Sequence, residues 1–328
     1  MKRYIFFLLL FLTFFYITPK HIQATNDERL GIHILSVTEI DEAIKLLKTK
    51  ENKNDWNYVT VLLTLDDLNK EDEWVRFMKR CRKYHIVPIV RLATKARGKN
   101  WIRPNRKNLV DMIDFLGDLK WPSKDKIIIV FNEVNHAEEW GGEINPQNYA
   151  STLRFVSNWA RTEMKEFIIL PAALDLDAPN GTNTMEAFAY LDKLYDYDKE
   201  IFTYIDAWNS HSYPNPGFVS SPRRNGKNSM KGFIRELDYL RGKTNRDYKV
   251  FITETGWKLS YKTEPWLENY YTYCMQHIWS HYQVVAVTPF VLKGSPGPFS
   301  SFSFLDEQSK PTAHYEAFLD ARMNVYDY

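Results

Sequence analysis

Two short stretches of this 328-residue chain set an acidic side chain where a strongly apolar run ends. In "IIIVFNEVNH" (127–136) five large apolar residues give way to Asn132 and Glu133, and in "VFITETGW" (250–257) a similar run ends at Glu254. A run apolar at every position reads as a strand covered on both faces, so each carboxylate stands where a buried strand emerges. Two converging carboxylates can divide a reaction between them. One, held protonated, delivers a proton to a departing oxygen; the other, held ionised, attacks carbon or activates water. Whether Glu133 and Glu254 converge depends on the elements that carry them.

Eight strand candidates run through the sequence, at 30–36, 57–63, 86–92, 127–132, 167–172, 203–209, 249–254 and 284–291. Their starts lie between 27 and 46 residues apart, the spacing of one strand, one helix and two loops. The intervening segments carry helical stripes. In 109–119, Leu109, Met112, Ile113, Leu116 and Leu119 paint one apolar face. Residues 38–49, 72–84, 147–165, 185–195, 229–241 and 265–281 behave alike, and "PTAHYEAFLDAR" supplies the eighth helix. Eight consecutive strand–helix units fit a closed (β/α)8 TIM barrel of the α/β class better than an open doubly wound sheet. No linker interrupts them, so a single catalytic domain is expected over 25–328. In a barrel the fourth and seventh strands face each other across the mouth, and Glu133 and Glu254 then aim at one point. That suits glycoside hydrolysis, in which two carboxyl groups flank the scissile bond. The long connections 93–105, 134–146, 212–228 and 292–309 all follow the carboxyl ends of strands, where a barrel builds its active site.

With Asn132-Glu133 ending the fourth strand and Glu254 ending the seventh, the chain resembles the retaining glycoside hydrolases of the 4/7 superfamily, clan A. The resemblance implies that Glu133 is the general acid/base and Glu254 the nucleophile. It also implies that Asn132 binds the sugar's 2-hydroxyl. "WNSHSYPNP" places His211 and Tyr213 two residues apart, on one face of an extended chain. In this clan such positions hold an imidazole near the acid/base and a phenol that hydrogen-bonds the nucleophile; packing under loops is the competing fate. Where many members end the second strand with arginine, "VTVLLTLDD" has none, and Arg91 on the third strand is the nearest substitute. Where many carry tryptophan at the end of the eighth strand, "VVAVTPFVLKG" offers Phe290. Trp101, Trp140 and Trp257 follow strand ends, where indoles either stack on sugar rings or pack into the core. Glu138 and Glu139 read as solvated loop carboxylates.

The remaining sequence narrows the setting. Lys2 and Arg3, an apolar stretch from Tyr4 to about Ile17 and a polar close on Ala24 form a signal-peptide pattern, with cleavage expected after residue 24. Fourteen apolar residues fall short of the roughly 20 a membrane span needs, so export to the periplasm, cell surface or medium is expected, with no membrane association after cleavage. Without Lys2, Arg3 and Lys20 the 43 basic residues fall to 40 against 41 acidic, giving no electrostatic case for nucleic acid. The basic cluster "SPRRNGKNSMKG" at 221–232 reads as a solvated loop able to touch an acidic substrate. Cys81 and Cys274 fall on the non-adjacent second and seventh helices, as two buried thiols. His277 and His281 are four apart, but "HIWSH" lacks the glutamate of a zinc-protease helix. No phosphate loop or dinucleotide fingerprint is present.

The expectation is therefore a secreted, monomeric glycosidase working on a β-linked oligo- or polysaccharide, with no metal or organic cofactor. A transglycosylase on the same site and a carbohydrate-binding pseudoenzyme are the alternatives; the latter would lack a carboxylate, and neither is missing.

Overall fold

The computed structural model describes residues 26–48, 54–163 and 165–326; the segment 1–24, where a signal peptide is expected, lies outside them. Eight parallel strands alternate with eight helices. The strands are β1 Gly31–Ile34, β2 Asn57–Leu63, β3 Ile86–Leu92, β4 Lys126–Val130, β5 Phe167–Pro171, β6 Trp208–His211, β7 Val250–Glu254 and β8 Val284–Val287. The helices are α1 Ile40–Leu47, α2 Glu71–Lys83, α3 Arg106–Asp118, α4 Pro146–Thr162, α5 Ala187–Tyr197, α6 Gly232–Thr244, α7 Leu267–His277 and α8 Ala313–Tyr326. A two-stranded antiparallel ribbon, Ala96–Arg97 with Asn100–Trp101, follows β3.

β1 to β5 form one parallel sheet in chain order, and β6 to β8 form a second. Two isolated parallel bridges join them, Leu30 with Val287 and Asp175 with His211. Side-chain alternation explains why β4 is apolar at successive positions. Ile127 and Ile129 of β4 join a small cluster drawn from both sheets, with Val87, Ile89, Leu170 and Phe251, whereas Ile128 and Val130 face the large cluster shared with the helices. Burying each such side chain is worth about 1.5–3 kcal/mol. Gly31 is needed where β1 meets β2, since a Cβ there would lie 2.2 Å from the Tyr58 carbonyl oxygen.

Helix starts follow the capping chemistry. Asn105 accepts the Asn108 N–H ahead of α3, and Asn145 does the same for Asn148 ahead of α4, where Pro146 occupies the first turn. Two sequence expectations need correction. The sixth strand starts at Trp208, not 203, because Ile201–Thr203 closes a 3₁₀ turn and the Asp206 backbone and carboxylate both bond Ile169. α7 ends at His277, so His281 lies beyond the helix and the two imidazoles share no helical face. Cys81 and Cys274 are buried free thiols on α2 and α7, as expected.

Candidate active site

The exit of β4 is bent. Phe131 and Glu133 both have positive φ, 72° and 29°, on either side of Asn132. Such values strain a residue with a Cβ and persist only where surrounding packing holds them. Here the Phe131 ring is buried against Trp140, with centroids 5.3 Å apart. The bend turns the apolar run aside and leaves Glu133 partly exposed at the strand end.

Glu133 comes from the first sheet and Glu254 from the second, and His211 stands between them. Its Nδ1 is 2.9 Å from Glu133 Oε1 and 3.7 Å from Glu254 Oε2. One oxygen of each carboxylate and this nitrogen all lie within 4.8 Å of one another. The other contacts of Glu254 are cationic or protic. Arg91 donates to Oε1 at 3.2 Å, Tyr213 donates to Oε2 at 3.3 Å, and His33 Nδ1 lies 3.8 Å from Oε1. Burial alone would push the Glu254 carboxyl up, but the His211 and Arg91 charges, with the Tyr213 hydroxyl, hold it below the usual carboxylate range. Burial opposes charge on His211 as well, yet Glu254 and Glu133 raise its pKa. His33 is driven down to about 4, mainly by burial, and stays neutral.

Glu133, His211 and Glu254 form a triad whose spacing would admit a metal ion. The charge around it argues against that use. Arg91 already supplies the positive charge on Glu254, and a divalent cation beside the guanidinium would be repelled. The triad suits proton sharing better.

The structure brings Asn132, Glu133, Arg91, His211, Tyr213 and Glu254 to one end of the strands. Asn132 and Trp101 line a pocket beside Arg91, and Asn132 Oδ1 is buried without a hydrogen-bond partner among the described residues. Trp140 and Trp257 do not face that space. Trp140 is 1% exposed, donates to Asn148 Oδ1 and packs on Phe131 and Tyr149; Trp257 is 0% exposed, donates to the Ser220 carbonyl and packs on Tyr270 and Tyr271. For both indoles core packing prevails, because each ring finds aromatic neighbours and an acceptor inside. Phe290 sits beside the cluster, its ring edge-on to His33 at 5.1 Å.

Three groups at the cluster escaped the sequence reading. His33 was signalled only by a lone histidine inside the apolar "GIHIL" of β1. Glu139 is not solvated: the turn Ala137–Glu139 folds it back toward Arg91 and Asn132, and burial raises its carboxyl to about 7. His136 and Asp175 form a half-buried pair 2.9 Å apart next to Glu133. No periodic pattern marks either loop residue.

The profile of the family described as glycosyl hydrolase catalytic core matches residues 101–318. No curated protein matches the chain. Among solved structures, a GH39 enzyme from Xanthomonas axonopodis pv. citri superposes with a TM-score of 0.59 at 12% identity, over 89% of this chain and 66% of that one. An endo-β-1,4-glucanase of the same organism gives 0.54 at 12% identity, over 90% and 99%. A GH128 (subgroup II) endo-β-1,3-glucanase from Pseudomonas viridiflava gives 0.54 at 15% identity, over 89% and 96%. At these identities the likeness is one of fold, and it is consistent with clan A. Because the matched profile spans well over half of its length, the chain belongs to the glycosyl hydrolase catalytic core family and is a glycosidase with a carbohydrate substrate.

Proposed function

We propose that the chain is an exported retaining glycoside hydrolase that cuts β-linked polysaccharide internally, with Glu133 as acid/base and Glu254 as nucleophile. The observation that carries this reading is the separation of the two carboxylates, one oxygen of each lying within 4.8 Å of the other. Retention needs carboxyl groups roughly 5–5.5 Å apart, whereas inversion leaves about 6.5–9.5 Å for a water. The bridges Leu30–Val287 and Asp175–His211 support closure of the two sheets into a single-domain (β/α)8 barrel. Two of the structural neighbours are endo-glucanases, which supports internal cleavage.

The reaction runs in two displacements. Glu254, ionised under the charges of His211 and Arg91, bonds to the anomeric carbon as Glu133 gives its proton to the departing glycosidic oxygen. The leaving sugar departs as an alcohol, and a glycosyl ester on Glu254 remains. Glu133, now ionised, takes a proton from water. The resulting oxygen nucleophile breaks the ester bond, releasing a hemiacetal of the original configuration and restoring both carboxyls. His211 against Glu133 keeps that side chain aimed throughout. Asn132, which lines the pocket beside Arg91, is assigned to the sugar's 2-hydroxyl, a contact that strengthens as positive charge develops on the ring. Arg91 holds Glu254 in place, and Trp101 borders the same pocket.

Export rests on the 1–24 pattern, and a mature, monomeric chain beginning at residue 25 is part of the proposal. The test of mechanism is the configuration of the first product. Proton NMR during hydrolysis of a β-glucan oligosaccharide panel should show the β-anomer first, followed by mutarotation. Initial appearance of the α-anomer would overturn retention. Transfer to added alcohol in place of hydrolysis would move the reading to a transglycosylase.

A further inference from the structure

Away from the carboxylate cluster, a groove of about 990 Å³, open to solvent, runs between the loop after β6 and helix α7. Trp266, Tyr270 and Tyr273 line it with Asn269, Gln276 and Arg223. Trp266 is 54% exposed, although an indole gains more from burial than any other side chain of this wall. The Arg223 guanidinium lies 4.2 Å from the Tyr273 ring centroid and forms no ion pair among the described residues. Among the described residues no carboxylate lines the groove. A second opening, over α1 and α2, is built differently: Arg80 is there paired with Asp41, and no indole or phenol is present.

The groove lies behind the candidate active site. The loop that carries Arg223 also carries Phe218, whose ring packs on Tyr213 at 5.0 Å. The loop accepts the Trp257 indole N–H at Ser220, and the other side of Trp257 rests 5.2 Å from Tyr270. One aromatic layer thus separates the groove from the strand end that bears Glu254.

An exposed indole matches the apolar face of a pyranose, planar amides match its hydroxyls, and an unpaired guanidinium matches an anion. We propose that this groove is a second glycan-binding site. It holds a remote stretch of an acidic polysaccharide, with a sugar ring on Trp266 and an acidic substituent at Arg223. The site is distinct from the carboxylate cluster and does not depend on the roles of Glu133 and Glu254.

Affinity electrophoresis tests it, using the full chain with Glu254→Gln so that polymer in the gel survives. The gels contain polygalacturonate, alginate, dextran sulfate or neutral hydroxyethyl cellulose. Retardation is expected in at least one acidic gel and should weaken about fivefold or more in apparent Kd on adding Trp266→Ala or Arg223→Ala, with partial recovery in Arg223→Lys. Retardation by the uronate polymers alone would assign a carboxylate at Arg223, and by dextran sulfate alone a sulfate. Both altered side chains are exposed, so thermal unfolding should be unchanged. Equal retardation of parent and variants would overturn the proposal, as would no retardation in any acidic gel. Loss with Arg223→Ala but not with Trp266→Ala would reduce the effect to charge alone and overturn it too.

Discussion

Tyr213 gives its hydroxyl proton to Oε2 of Glu254 across 3.3 Å, from a ring enclosed by Phe218 and Phe302. The phenol is half-buried, and desolvation together with the nearby Glu254 and Glu133 carboxylates lifts its pKa well above the ordinary value, so it stays a donor at every working pH. The bond therefore favours only the ionised form of Glu254.

Removing that donor makes the first prediction. Tyr213→Phe should lower kcat by about 10- to 100-fold and move the acidic limb of the kcat/KM profile to higher pH, since Glu254 loses part of what holds its pKa down. A limb that stays in place while kcat falls would separate Tyr213 from the ionisation of Glu254.

Chemical rescue distinguishes the two carboxylates. Glu133→Ala should hydrolyse ordinary substrates about 10²–10⁴-fold more slowly, yet keep much of its rate on an aryl glycoside whose phenol leaves without a proton. Added azide should then be captured as a β-glycosyl azide. Glu254→Ala should show neither behaviour, and β-azide from that variant would reverse the assignments.

A buried glutamate outside the cluster links stability to pH. Glu236 of α6 is wholly enclosed and bonded to Ser210, and burial lifts its carboxyl to about 7. The native state holds this proton where the unfolded chain, with an ordinary carboxyl near 4.5, has lost it. Stability is thus lost as pH rises from about 4.5 to 7, up to about 3 kcal/mol above that window. Glu236→Gln should raise the unfolding midpoint at pH 8, with the gain shrinking to nothing near pH 4. Equal gains at both pH values would assign the effect to packing.

The triad of Glu133, His211 and Glu254 predicts the response to metals. Dialysis against EDTA should leave the rate unchanged. Zn²⁺ should inhibit only at millimolar levels, where mass action overcomes the repulsion from Arg91 and the ion captures donors that otherwise share protons. A rate that collapses with EDTA and returns with one divalent ion would replace proton sharing with metal catalysis.

How far the sequence reached depended on what each residue had to satisfy. Ile127 to Val130 could be read because both faces of β4 are covered, which forces an unbroken apolar run. Glu133 and Glu254 stood out as candidates because a carboxylate at the end of such a run breaks the apolar pattern abruptly. The sixth strand slipped because the apolar residues before Trp208 serve a turn, Ile201–Thr203, whose composition resembles a strand. Trp140 and Trp257 could not be placed, since whether an indole after a strand turns inward depends on distant partners, Asn148 for one and Ser220 for the other. Glu139 was hidden likewise: its burial comes from a 3₁₀ turn, and its neighbours come from β3 and β4.

Backbone pairing between the two sheets is thin, while the cluster itself spans them. Arg91 and Glu133 reach across from the first sheet to Glu254 and His211 on the second. The groups to which we assign the chemistry also form a clasp at the seam, and breathing there would part the carboxylates before any helix melts. On heating, activity should therefore fade ahead of circular dichroism. A glycan lying across the seam would act as a strap, postponing that loss more than it postpones global unfolding.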